Sequence, residues 1–163
     1  MIKKVRDAAV KTKDLKHVVM FKTAPHELYE MLMDSKKHAK FTGESAKVTK
    51  KVGAKFTAYG DFITGKNLKL IPDRLIVQEW HMKGWPQGHV SKVTYRITKS
   101  GKMTKLTCNH VKIPSASYKG INSGWKSSYW DKMKVDLARD HAAQSSTKAR
   151  PGEKKKSLTD SKM

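Results

Sequence analysis

The stretch from Lys55 to His89, KFTAYGDFITGKNLKLIPDRLIVQEWHMKGWPQGH, limits what this chain can fold into more than any other feature, because Gly, Pro and Trp punctuate short alternating runs. Phe56, Ala58 and Gly60 alternate with Lys55, Thr57 and Tyr59, the period-two pattern of a half-buried strand. Gly60-Asp61 and Gly65-Lys66 supply positions that accept positive φ, and each reads as a hairpin turn or a bulge. Pro72-Asp73 breaks the chain before Leu75, Ile76, Val77 and Trp80, a β-branched and aromatic run suited to a central strand. Trp85-Pro86-Gln87-Gly88 reads as the next turn, so the segment predicts three strands joined by tight connections.

The flanks extend this architecture. His17 to Thr23 reads as a first strand, with Val18, Met20 and Lys22 alternating against Val19 and Phe21. Pro25 suits the first turn of a helix, Thr23 is a nearby candidate cap, and Leu28, Met31 and Leu32 form the apolar stripe beside Tyr29. Asp34-Ser35 opens a second short helix that ends near Phe41, with Gly43 as the stop. Val90 to Lys99 places Val93, Tyr95 and Ile97 on one strand face, and Ser100-Gly101 turns the chain into Met103 to Ile113, where Leu106, Cys108 and His110 share a face. Pro114 ends the sheet. Tyr118, Ile121, Trp125, Tyr129, Met133 and Leu137 then recur at three and four, the stripe of one long helix. Beyond Asp140 the composition turns to residues that cannot bury a core. The expected division is a basic extension over 1–16, one domain over 17–140 and a basic disordered tail over 141–163.

Several spaced residues together carry a family likeness. Lys55-Phe56, Gly60-Asp61, Gly65, Leu70, Pro72, Ile76-Val77, Trp80, Trp85-Pro86-x-Gly88-His89 and Gly124-Trp125 resemble the C-terminal domain of the activators of the Hsp90 ATPase, a member of the START-like or Bet v 1-like helix-grip superfamily. The likeness spans roughly Val18 to Leu137. It implies an α+β fold in which a curved antiparallel sheet wraps a long C-terminal helix, with two short helices after the first strand. It also implies contact with an Hsp90-type chaperone and a modest effect on its ATPase cycle. In the two-domain activators an N-terminal domain makes the main chaperone contact, whereas about twenty residues precede the resembling region here. Weaker binding, or a different partner, is the expectation that follows.

Charge adds a second theme. The chain of 163 residues carries a formal +21, enough to suggest an anionic partner such as RNA, a ribonucleoprotein surface or an acidic protein. Residues 1–22 contribute +5 and residues 141–163 contribute +4, which leaves +12 on residues 23–140, so the folded part is itself basic. Lys92 and Arg96 on one strand, Lys126, Lys132 and Lys134 on the last helix, and Lys154, Lys155 and Lys156 in the tail are the candidate contacts to phosphates or acidic groups. The lone Cys108 excludes an internal disulfide, and no apolar run approaches the ~20 residues of a membrane span. The cytoplasm is the expected compartment, and a mitochondrial presequence stays open for the basic N-terminus, although Asp7 and Asp14 weigh against it.

Catalytic, metal and cofactor sites are not expected. The histidines His17, His26, His38, His81, His89, His110 and His141 lack metal-ligand spacing. His89 reads as a hydrogen-bonding residue of its turn, and Asp61, Asp73 and Glu79 as loop or surface carboxylates without an evident partner. Phe56, Trp80, Trp125 and Tyr129 are read either as mutually packed core or as the lining of a cavity between sheet and long helix. Three functional readings follow: a non-catalytic chaperone-associated binding domain, a structural component of a ribonucleoprotein, and a carrier of a small hydrophobic ligand.

Overall fold

A computed structural model describes residues 10–149, with side chains as far as 142. β1 (Thr12–Phe21) leads into two short helices, α1 (Pro25–Met33) and α2 (Ser35–Thr42). A meander follows: β2 (Lys55–Ala58), β3 (Ile63–Ile71), β4 (Leu75–Met82), β5 (Ser91–Ser100) and β6 (Met103–Pro114). The strands form one antiparallel sheet in the order β1-β6-β5-β4-β3-β2, so the first strand closes the sheet against the last. A 3₁₀ turn at Ser115–Ser117 leads to the C-terminal helix, made of α3 (Tyr118–Gly124), a π-helical segment at Trp125–Trp130 and α4 (Asp131–Ala149). This is the helix-grip arrangement expected from the sequence.

Alternation on the strands decides which side faces the helix. Leu15 and Phe21 on β1, Ile76 and Trp80 on β4, Val93, Tyr95 and Ile97 on β5, and Leu106, Cys108 and His110 on β6 are all buried on the inner face. Lys92, Arg96 and Lys105 lie between them on the outer face. Leu28, Met31 and Met33 of α1 complete the core with Met133 and Leu137 of α4. Asp34 caps α2 by accepting the Lys37 N–H at 3.0 Å, and Gly43 ends that helix in the left-handed region.

Four local expectations are corrected. β1 starts at Thr12, so residues 12–16 belong to the sheet and not to an extension. Their polar side chains had hidden a strand that pairs with β6 from Thr12 opposite Pro114 onward, with a bulge between Lys13 and Leu15. The Asp14 carboxylate at that bulge accepts the Lys112 N–H at 3.0 Å. At the other end, the helix continues to Ala149, past the expected boundary at 140, through residues of good helix propensity such as Ala142. The rest of the expected tail, 150–163, and the first nine residues of the expected extension lie outside the described residues. Thr23 does not cap α1; its carbonyl accepts the Thr104 hydroxyl, and Ala24 holds the cap position with Pro25 in the first turn.

The fourth correction concerns Gly65, which lies inside β3 between Phe56 on β2 and Trp80 on β4, not in a turn. The Phe56 ring covers it, and a Cβ there would overlap both that ring and the Glu79 carbonyl oxygen. The bulge falls two residues later, between Asn67 and Lys69. Gly65→Ala is expected to destabilise the protein by about 1–3 kcal/mol, the usual range for overpacking, read as a lower denaturant midpoint. Trimming the ring with Phe56→Leu in the same chain should not restore stability, because the backbone oxygen remains in the way.

Candidate functional site

The C-terminal helix meets the sheet through aromatic residues whose spacing a plain α-helix would not allow. Trp125 and Trp130 are five residues apart, and at 3.6 residues per turn their side chains would diverge by about 140°. The π segment, in which the Asp131 N–H reaches back to the Lys126 carbonyl, turns both toward the sheet. Their rings stack at 5.0 Å between centroids with an interplanar angle of 12°. Tyr129 is buried beside them, so one short segment points three large aromatics inward.

Each indole N–H donates to a histidine on the sheet. Trp125 Nε1 donates to His110 Nδ1 at 3.1 Å, and Trp130 Nε1 donates to His17 Nδ1 at 2.9 Å. His110 therefore carries its proton on Nε2 and donates to Ser91 Oγ at 2.7 Å, while the Ser91 hydroxyl reaches the Trp80 carbonyl at 3.3 Å. His17 likewise uses Nε2 toward Asn122 Oδ1 at 2.7 Å, which ties β1 to α3. Burial pushes the His110 pKa down to about 3, against the smaller opposing pull of the Asp14 charge. His38 is held near 4, again by burial; it meets the Tyr129 hydroxyl at 3.0 Å and the Leu32 carbonyl at 3.2 Å. A second chain of bonds runs from Trp80 Nε1 to Gln78 Oε1, from Gln78 Nε2 to Asn67 Oδ1, and from Asn67 Nδ2 to the Thr49 and Lys51 carbonyls. These buried polar groups are satisfied internally, as a stable core requires.

At one end of this lattice the helix and sheet part to leave a cavity of about 770 Å³ that opens to solvent. Trp80, Trp125 and Tyr129 line it, as one of the two sequence readings had them, while also packing on one another at 4.9–6.2 Å. Phe56 does not line it; its ring lies over Gly65 and meets Trp80 edge-on at 6.2 Å. Tyr59, Met82 and Trp85 join the wall, Lys83 sits on the rim, and α3 contributes Gly120 and Gly124. Sequence reasoning missed Trp130, Lys83 and the Gln78–Asn67 pair. The adjacent large aromatics Tyr129-Trp130 were the available signal, since neither is readily left exposed.

The expected cationic surface divides in two. Lys92 and Arg96 are exposed on the outer sheet face, which also carries Lys16, Lys66 and Lys105, with Glu79 between Lys66 and Lys92 in the register. The helix lysines lie on the opposite side and are engaged locally. Lys126 pairs with Asp131 at 3.0 Å, Lys132 donates to the Thr42 carbonyl at 3.1 Å, and Lys134 lies over the Phe21 ring at 6.0 Å. Lys154, Lys155 and Lys156 fall outside the described residues. His89 holds its turn by bonding the Lys112 carbonyl at 2.8 Å and stacking edge-on with Trp85. Two carboxylates read as unpartnered do have partners: Asp61 meets Lys83 of a second loop at 3.0 Å, and Asp73 meets His26 of α1 at 2.9 Å. Among the described residues no group of three His, Cys, Asp or Glu converges as a metal site, and no helix is long and apolar enough to cross a membrane.

Comparison with known proteins points one way. A family model described as activator of Hsp90 ATPase homolog 1-like protein matches residues 22–138. An activator of 90 kDa heat shock protein ATPase homolog from Dictyostelium discoideum is 32% identical over 124 residues, covering 76% of this chain and 32% of its own length. The human homolog 1 is 28% identical over 114 residues, covering 70% of this chain and 34% of its own length. The chain thus spans about a third of these curated relatives. Among solved structures, an HSP90 activator from Plasmodium falciparum superposes with a TM-score of 0.73 at 22% identity, covering 77% of this chain and 96% of that one. A protein from Mesorhizobium loti gives 0.69 at 17%, covering 78% and 98%. At such identities the two structures establish the helix-grip fold alone.

The neutral histidines make stability depend on pH. Both folded pKa values lie below the ordinary 6.5, so the unfolded chain takes up the protons first as pH falls. Stability should be fully present above about pH 6.5 and decline below it, by up to about 1.4 kcal/mol per pH unit for each histidine. Thermal unfolding followed between pH 7 and 5 should show this fall. His110→Gln should lower stability at pH 7 and yet flatten the slope, and an unchanged slope would contradict the assignment.

Proposed function

Since the chain belongs to the family of activator of Hsp90 ATPase homolog 1-like proteins, we propose that it is a chaperone-associated binding module that contacts an Hsp90-type ATPase and adjusts its turnover without chemistry of its own. The observation that carries this reading is the family match over residues 22–138, which takes in the two short helices, strands β2 to β6 and the C-terminal helix as far as residue 138. The hydrogen bonds of His110, His38 and Tyr129 support a non-catalytic role, because His110 pairs with Trp125 and Ser91, and His38 with Tyr129 and the Leu32 carbonyl, instead of converging on a reacting centre.

The outer sheet face is the surface we assign to the partner. Lys92 and Arg96 lie there with Lys16 and Lys105, and their exposure keeps them hydrated until an acidic surface approaches. Such charges speed encounter and make binding sensitive to salt. The same face could serve the phosphates of RNA, but the relatives named above are described by their link to the heat-shock ATPase, which favours the protein partner. The cytoplasm remains the expected compartment on this reading.

Affinity purification of the tagged protein from its own cells, divided into untreated and nuclease-treated halves, tests the assignment. An Hsp90-type chaperone recovered equally from both halves is expected, and ribonucleoprotein partners lost with nuclease would overturn it. With purified components, Lys92→Glu combined with Arg96→Glu should weaken chaperone binding about tenfold at low salt, through lost attraction and added repulsion at a rim of charge.

A further inference from the structure

The two edges of the sheet are finished differently. At one, β2 is four residues long, and Lys47 covers it from outside through a pair of backbone bonds with Thr57 at 2.9 and 3.0 Å. At the other, β1 runs for ten residues and has a strand, β6, on one side only. Every second residue of such a strand turns its N–H and C=O away from its neighbour. Among the described residues no turn or loop backbone bonds to those of β1. We propose that this edge takes up an extended acidic segment of a partner protein as an added antiparallel strand, the acidic end of the segment lying in a lysine-lined cleft where β1 ends. The contact uses the rim of the sheet, not the outer face assigned to the chaperone, and it stands or falls separately from that assignment.

Main-chain pairing supplies attachment in strand addition, and side chains choose the partner. Val18 and Met20, 56% and 36% exposed, stand between Lys16 and Lys22 on the outer face of β1. An added strand would set two apolar side chains beside the first pair and an acid beside each lysine. Asp14 is the one acid of β1, and the Lys112 N–H already occupies it at 3.0 Å. Past Phe21 the chain enters a cleft of about 420 Å³ formed with the β5–β6 hairpin. Lys22, Lys99 and Lys102 line it with Met103, and no carboxylate does.

The same charges exclude the other occupants of a bare edge. An uncovered strand of this length invites pairing with a second copy, and lysine is a common guard against it. Two copies joined through β1 would bring one basic edge against another. The chain's own remaining segments meet the same repulsion: residues 1–9 carry Lys3, Lys4 and Arg6 against Asp7, and residues 150–163 carry five Lys or Arg against Glu153 and Asp160. Like charge turns these away, whereas an acidic segment is drawn in and loses the repulsion it has for itself.

A fluorescently labelled peptide, acetylated and amidated, of sequence Asp-Glu-Glu-Thr-Val-Thr-Val-Thr-Glu tests the proposal on the full chain by anisotropy titration. Saturable one-to-one binding is expected, with none when each acid is replaced by lysine. Two further versions carry backbone N-methyl groups, one on the threonine amides and one on the valine amides, so that each blocks a different edge of the peptide. One should bind at least about tenfold more weakly and the other within about threefold of the parent. On binding, alternate amides of β1 should exchange more slowly with solvent. Lys22→Gln, Lys99→Gln and Lys102→Gln combined should weaken the parent peptide about tenfold, with circular dichroism showing an intact fold. Equal affinity of the two methylated peptides, or β1 amides left unprotected, would overturn strand addition. Full affinity in the triple variant would overturn the cleft. A dimer of the chain alone that already protects β1 would assign the edge to a second copy and overturn the acidic partner.

Discussion

The bond from the Trp125 indole to His110 is the point on which the rest of the molecule turns. The helix offers a buried indole N–H on its aromatic face, and the sheet offers one unprotonated ring nitrogen to receive it. Left unpaired, either group would cost about 1–3 kcal/mol on burial. Paired, they fix the rotation of the helix about its own axis and the tautomer of the histidine, which in turn fixes the Ser91 hydroxyl and its link to the β4 backbone. The second indole, Trp130, repeats the device with His17, so the helix is held at two points on the neighbouring strands β6 and β1. Two bonds five residues apart demand the π segment, because a regular helix would turn the second indole away.

Much of this architecture can be read along the chain, and the parts that cannot share a physical cause. Alternation found the inward face of β5, and the shared face of Leu106, Cys108 and His110 that of β6, while the spacing of Leu28, Met31 and Leu32 found the buried side of α1, because those patterns record burial over neighbouring residues. Turn chemistry found the stop at Gly43. Gly65 was misplaced because glycine serves both tight turns and close aromatic contact, and only the position of Phe56 on another strand separates the two. Trp130 was missed because its partner His17 lies 113 residues away and no local signal announces a helix wound five residues to the bond.

The candidate sites were legible to unequal degrees for the same reason. Trp80, Trp125 and Tyr129 fall where strand and helix periodicity put them, and packing and cavity turn out to be compatible, since the rings meet one another on one side and face open space on the other. Phe56 is buried with them, but its ring is taken up by Gly65 on β3 and the edge contact with Trp80. The lysines were grouped by charge alone, which ignores facing. Val93 beside Lys92 and Tyr95 beside Arg96 point inward and so already separate those two from any lysine on a helix packed against the inner face.

That separation explains how a core this densely aromatic coexists with a formal charge of +21. Lys92 and Arg96 alternate with fully buried neighbours, so they stay in water while the residues beside them are dehydrated. The ion pairs that do form, such as Lys83 with Asp61 and Lys126 with Asp131, join exposed groups and add little to stability. Folding therefore depends on the inward pattern and the two indole–histidine bonds, and it tolerates an outer surface whose charges repel one another. Excess charge of this kind acts on association, through long-range attraction of an opposite surface, far more than on the fold that displays it. The inner face carries the demands of packing, and the outer face is left free to suit a partner.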